Sequence, residues 1–155
     1  MLKVVLDVSV FVDYFIRVRG REEVHERARR IIGTLSKLGC RVYEPFLFEI
    51  ELSSILMRCG FNRTKTQSII RGVLEHVIIL REEELHDVAL EVALATGCRA
   101  IDAYYIATTV KELTILVTCD RIMCNNAKRF NVEAYNVRLH EDYANLMSKL
   151  TMIQN

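Results

Sequence analysis

Val4-Val5-Leu6-Asp7-Val8-Ser9 begins with residues that are apolar on both parities, as a strand buried on both faces requires, and then turns abruptly acidic. Ile115-Leu116-Val117-Thr118-Cys119-Asp120 repeats that grammar later in the chain, with an apolar run, a hydroxyl and an aspartate. Strands buried on both faces lie at the centre of a parallel sheet, so these two are expected side by side or nearly so. Working outward, Leu2 to Leu6, Arg41 to Tyr43, His76 to Leu80, Thr114 to Thr118 and Val132 to Val137 read as strands. Between them lie stretches of helical period at Ser9 to Val18, Glu22 to Leu38, Phe46 to Cys59, Thr64 to Leu74, Glu83 to Thr96, Ile101 to Leu113 and Arg121 to Phe130, with a last one from His140 to Leu150. Strands alternating with helices of this length demand right-handed crossovers, hence a mainly parallel five-stranded sheet covered on both faces. The fold class is α/β.

Composition narrows the function. The 155 residues suit one domain over 1–155, and 51% hydrophobic with 26% charged content, 6 Gly and 1 Pro exclude a disordered or linker-rich chain. Lys plus Arg at 21 against Asp plus Glu at 20 leaves a net charge of +1, too little for a broad cationic field, so any nucleic-acid contact must be local. Nothing approaches the roughly 18 apolar residues of a membrane span, and the start reaches an acid too soon for a signal peptide; a cytoplasmic protein is expected. The five cysteines, Cys40, Cys59, Cys98, Cys119 and Cys124, contain no C-x-x-C pair, so reduced and mostly buried thiols are expected.

Ligands of open parallel sheets bind outside the carboxyl ends of strands, which is where Asp7 and Asp120 fall. A third acid, Asp102, opens an otherwise apolar helix, where a core-facing carboxylate is costly unless paired or bound to a cation. A fourth comes from Glu49 or Glu51, which point about 200° apart on one helix, so only one can join a shared site. Each aspartate could equally cap a helix. Carboxylates from four segments with no strand-end lysine would repel one another unless divalent cations were present, and oxygen donors favour Mg²⁺ or Mn²⁺ over zinc. No phosphate loop, dinucleotide fingerprint, nucleophile elbow or H-E-x-x-H motif competes, and His25, His76, His86 and His140 are scattered.

Leu6-Asp7-Val8-Ser9, Pro45 followed six residues later by Glu51 and then Ser54-Ile55-Leu56, Arg99-x-x-Asp102-Ala103 and Val117-Thr118-Cys119-Asp120-Arg121 together resemble the PIN domain family of Mg²⁺-dependent nucleases, and within it the VapC-like toxins of toxin–antitoxin pairs. The resemblance implies a three-layer α/β/α sandwich with an acidic pocket holding Mg²⁺ or Mn²⁺. Asp7, Glu51, Asp102 and Asp120 match the family's acidic, metal-binding positions, and the Pro-to-Glu spacing selects Glu51 over Glu49. Ser9 and Thr118 match positions of supporting hydroxyls. No acid follows three residues after Asp120, where Met123 stands, which leaves one metal or two open. The implied reaction is endonucleolytic hydrolysis of RNA, with Arg99 and Arg121 the favoured RNA-binding side chains among Arg58, Arg63, Arg99, Arg121 and Lys128. A homodimer silenced by a small antitoxin is also implied, the antitoxin laying an apolar segment in a groove for which Phe11, Tyr14 and Phe15 are candidates. A PIN nuclease of RNA maturation without an antitoxin, and a PIN module that only binds RNA or protein, are the alternatives.

Overall fold

The computed structural model describes residues 2–153. The parallel strands are β1 (Lys3–Leu6), β2 (Arg41–Pro45), β3 (Val77–Leu80), β4 (Ile115–Thr118) and β5 (Ala134–Asn136), and they form one sheet in the order β3-β2-β1-β4-β5. β1 and β4 are neighbours, with Val4 opposite Ile115, Val5 opposite Leu116 and Leu6 opposite Val117, and these side chains are buried. The doubly apolar runs are therefore central, and every strand pair is parallel.

Helices α1 (Val8–Phe15), α2 (Glu22–Lys37), α3 (Phe48–Arg58), α4 (Arg63–Leu74), α5 (Glu82–Thr96), α6 (Ala100–Lys111), α7 (Arg121–Arg129) and α8 (His140–Met152) flank the sheet as an α/β/α sandwich. Each buries one stripe at helical spacing, such as Ala28, Ile31 and Leu35 in α2 and Phe48, Leu52 and Leu56 in α3. The first helix stops at Phe15 rather than reaching Val18, and β5 is shorter at both ends than the apolar run that marks it. Gly97 ends α5 in the left-handed region at φ 66°, which lets the chain reverse through Cys98 into α6.

Strand order positions the site. The chain runs outward from β1 to β2 and β3, then returns through α5 and α6 to add β4 and β5 on the other side of β1. The crevice outside the carboxyl ends of β1 and β4 is thus the point where the winding reverses, the place at which such sheets bind ligands.

The thiols depart from expectation. All five cysteines are free, but only Cys119 and Cys124 are fully buried; Cys40 and Cys98 are partly open and Cys59 is exposed. Cys59 ends α3 and Cys40 precedes β2, and neither lies on a buried stripe.

Candidate active site

Asp7 leaves the end of β1 with its N–H still in the ladder, donating to Val117 O at 2.9 Å, so the carboxylate is held by the sheet itself. It stands at the N-cap of α1 without capping it. Its Oδ2 instead accepts the hydroxyls of Ser9 and of Thr118, the latter at 2.8 Å. Ser9 Oγ in turn accepts the Cys119 N–H at 2.9 Å, and Thr118 Oγ1 accepts that of Asp120 at 2.9 Å. The two hydroxyls thereby tie the ends of β1 and β4 into one rigid unit around a carboxylate that is 3% exposed. Burial is the main reason that the Asp7 carboxyl titrates above the usual carboxylate range.

Asp120 does cap a helix. Its Oδ1 accepts Ile122 N–H at 2.7 Å and Met123 N–H at 3.1 Å at the start of α7, while Oδ2 receives Arg99 Nη2 at 2.9 Å. Asp102 does not cap: it lies within the first turn of α6, whose N-cap is Arg99. Arg99 grips it with Nε to Oδ2 at 3.1 Å and Nη2 to Oδ1 at 3.0 Å. Burial still pushes the Asp102 carboxyl upward, ahead of the opposing pull of Arg99.

Glu51 and Glu49 part as the helical wheel demands. Glu49 is exposed, whereas Glu51 sits beside the Phe48-Leu52-Leu56 ridge of α3 and turns inward. Tyr105, a fully buried residue one turn after Asp102 on α6, donates its hydroxyl to Glu51 Oε2 at 2.8 Å. Burial raises the Glu51 carboxyl to about 7, with Asp7 and Asp102 adding like-charge repulsion.

These acids face a common cavity of about 310 Å³ lined by Asp7, Ser9, Glu51, Asp102 and Asp120, with Arg58, Arg99 and Arg138 around them. Thr118 lies beneath it rather than in its wall. Its polar lining is carboxylate, hydroxyl and guanidinium, with neither histidine nor cysteine among the described residues. Such hard oxygen donors suit Mg²⁺ or Mn²⁺ and not zinc, so the residues fit that kind of ion. Among the described residues no three acids stand close enough to enclose an ion as they are placed, and Arg99 pairs with two of them, Asp102 and Asp120.

A model of the PIN domain matches residues 4–129. The chain belongs to the PIN domain family. No curated protein sequence matches it. Among solved structures, PAE2754 from Pyrobaculum aerophilum superposes with a TM-score of 0.61 at 18% identity, covering 97% of this chain and 98% of that one. FitAcB from Neisseria gonorrhoeae gives 0.61 at 18% identity over 86% and 96% of the two chains. FitAB bound to an IR36 DNA fragment gives 0.63 at 17% over 85% and 93%. At these identities the likeness is one of fold, and it supports the PIN sandwich.

The other basic residues divide. Arg121 lines a shallower depression that adjoins the acidic cavity and shares Ser9, Asp120 and Arg138 with it. Lys128 pairs with Asp142 at 3.2 Å, and Arg63 opens α4 outside the lining of either cavity. Three side chains at this end of the PIN fold were not singled out from sequence: Arg138, Tyr105 and Glu44. Glu44 is 0% exposed in β2; its Oε1 accepts the Leu6 N–H at 3.3 Å and its Oε2 has no partner among the described residues. Burial holds the Glu44 carboxyl well above its ordinary range, with the Asp7 and Glu51 charges pushing the same way.

Proposed function

We propose that this PIN domain is a divalent-metal-dependent endoribonuclease, the toxin of a toxin–antitoxin pair, acting in the cytoplasm as a homodimer. The observation that carries the reading is the convergence of Asp7, Glu51, Asp102 and Asp120, from four separate elements, on one oxygen-lined cavity at the winding reversal of the sheet. Carboxylates at such density cost folding stability, and a cavity that gathers four of them suits a cation that would draw them together. Family membership supports a nuclease.

Asp7, Glu51, Asp102 and Asp120 would hold Mg²⁺ or Mn²⁺. The bound ion would supply Lewis acidity toward a scissile phosphate and acidify water at neutral pH. The chain's own residues do the positioning. Ser9 and Thr118 fix the Asp7 carboxylate by donating both hydroxyls to Oδ2, which leaves Oδ1 free of them. Tyr105 fixes Glu51 in the same way. Arg99 and Arg121 stand at the rim, where planar guanidinium groups suit the RNA backbone.

The antitoxin would take the apolar groove of about 530 Å³ lined by Phe11, Tyr14, Phe15, Ile32, Ile69 and Val77, between α1, α2, α4 and β3. An amphipathic helix presenting anchors at helical spacing suits such a trough. All three aromatic residues named from the sequence line it.

Cleavage of a mixed set of single-stranded and structured RNAs in Mg²⁺, Mn²⁺ or EDTA tests the reading. Products are expected only with metal and only from the wild type, not from Asp7→Asn or Asp102→Asn; cleavage that survives EDTA or both substitutions would refute it.

A further inference from the structure

We propose that Arg99 is an exchangeable counterion of this site: its guanidinium holds Asp102 and Asp120 together until a divalent cation takes them, and then turns outward onto a phosphate of the RNA. The inference rests on the metal-nuclease reading above.

Arg99 does what a bridging cation would do. Its Nη2 stands 3.0 Å from Asp102 Oδ1 and 2.9 Å from Asp120 Oδ2, so a single nitrogen joins carboxylates delivered by α6 and by the cap of α7. Of the three arginines around the cavity it is the one bound to these acids. Arg138 is committed to Asp13 through both Nε and Nη2, and Arg58 forms no ion pair among the described residues.

Departure is easy for Arg99 and hard for its partners. The Arg99 side chain is 64% exposed, whereas that of Asp102 is 0% exposed. Asp120 is pinned by two helix N–H groups that do not involve Arg99. The acids therefore keep their places when the guanidinium swings away. Ion pairs of such an exposed side chain are weak, so a divalent charge outcompetes a monovalent one at small cost. Once displaced, the guanidinium is a free planar donor on the rim of the same cavity, with the fork geometry that matches phosphate.

This exchange predicts effects of opposite sign. Removing Arg99 should tighten metal binding by about three- to tenfold, the reach of two ion pairs made by one exposed guanidinium, because nothing then has to be displaced. It should also weaken RNA binding and lower the salt dependence by about one phosphate contact. A merely structural salt bridge would do neither, or would loosen both.

The test titrates Mn²⁺ calorimetrically into the full chain as wild type, Arg99→Gln, Arg99→Lys and Asp102→Asn, and measures a labelled single-stranded RNA by anisotropy in Ca²⁺. Tighter Mn²⁺ binding and weaker RNA binding by Arg99→Gln, with Arg99→Lys between, is expected. Thermal melts in EDTA and in Mn²⁺ add a readout of folding, in which Arg99→Gln should gain more from Mn²⁺ than the wild type does. Mn²⁺ binding that Asp102→Asn abolishes but Arg99→Gln leaves unchanged or weakens overturns the exchange while the metal site stands. Tighter Mn²⁺ with unchanged RNA affinity overturns the transfer to phosphate. Failure of both wild type and Arg99→Gln to bind Mn²⁺ overturns the metal-site reading and this inference together.

Discussion

Glu51→Gln in metal-free buffer isolates the energetic tension built into the site. The folded chain keeps the Glu51 proton up to about pH 7, against 4.5 for an unperturbed glutamate. Between those values the native state binds more protons than the unfolded one, so stability falls as pH rises. The contribution is fully present below 4.5 and lost above about 7. A displacement of that size is worth at most ~3 kcal/mol, and because Glu51 is partly open to the cavity, solvent screening brings it to about 1–2 kcal/mol. For a chain of this length that corresponds to about 3–6 °C in melting temperature. Melts in EDTA from pH 5 to 8 should therefore show the wild type losing ground to Glu51→Gln, which keeps the shape and hydrogen-bonding capacity without a titrating proton. Asp7, Glu44 and Asp102 are also displaced upward, but they are common to both proteins and largely cancel in the difference. Parallel profiles, or a wild type that gains on the variant as pH rises, would refute the reasoning.

Tyr105→Phe removes the hydroxyl that Glu51 accepts, so the carboxyl should move higher still and the pH profile of cleavage should shift to more alkaline values, with about 1 kcal/mol lost in denaturant melts. Asp102→Asn should leave the metal-free chain as stable as the wild type or more so in thermal melts, because burial outweighs Arg99 in setting its proton affinity and the neutral amide escapes that penalty. Leu52→Ala, at the centre of the buried ridge of α3, should cost about 2–5 kcal/mol in urea unfolding. Ile69→Asp, in the apolar groove away from the acids, should abolish capture of an antitoxin in a pull-down while leaving metal-dependent cleavage intact.

The sheet was legible because a strand buried on both faces leaves no choice of parity. Val4-Val5-Leu6 and Ile115-Leu116-Val117 are apolar throughout, and they prove to be register partners at the centre. The same logic says less at the edge, where Val77-Ile78-Ile79-Leu80 is equally apolar but β3 leaves Ile78 and Ile79 exposed. Local chemistry settled the backbone role of only some acids. Asp120 has both features that the sequence left open, a helix cap and a wall of the cavity, while Ser9 was as readable as a cap as it was a carboxylate partner and its hydroxyl makes the second bond. Glu44 was invisible because a glutamate before a proline at a strand end reads as the start of a turn. Its burial is tertiary, imposed where α6 packs across β1 and β2.

The same dependence on tertiary structure explains why charge balance could not be read from sequence. Spacing brings Arg99 within one turn of Asp102, and that i,i+3 pair is local. Its reach to Asp120 is not local, because α7 is brought there by β4 adding beside β1 after the chain has wound outward and returned. The reversal that places four carboxylates at one crevice thus also delivers a guanidinium to them. Folding without a bound cation then has two supports: Arg99 pairs with Asp102 and Asp120, and the apolar centre of β1 and β4 supplies burial that offsets what the acids cost, a cost seen in the upward displacement of Asp7 and Glu51. A sheet strand that must carry such an edge has little room for polar residues along its length, which is a physical reason for Val4-Val5-Leu6 to run unbroken into Asp7.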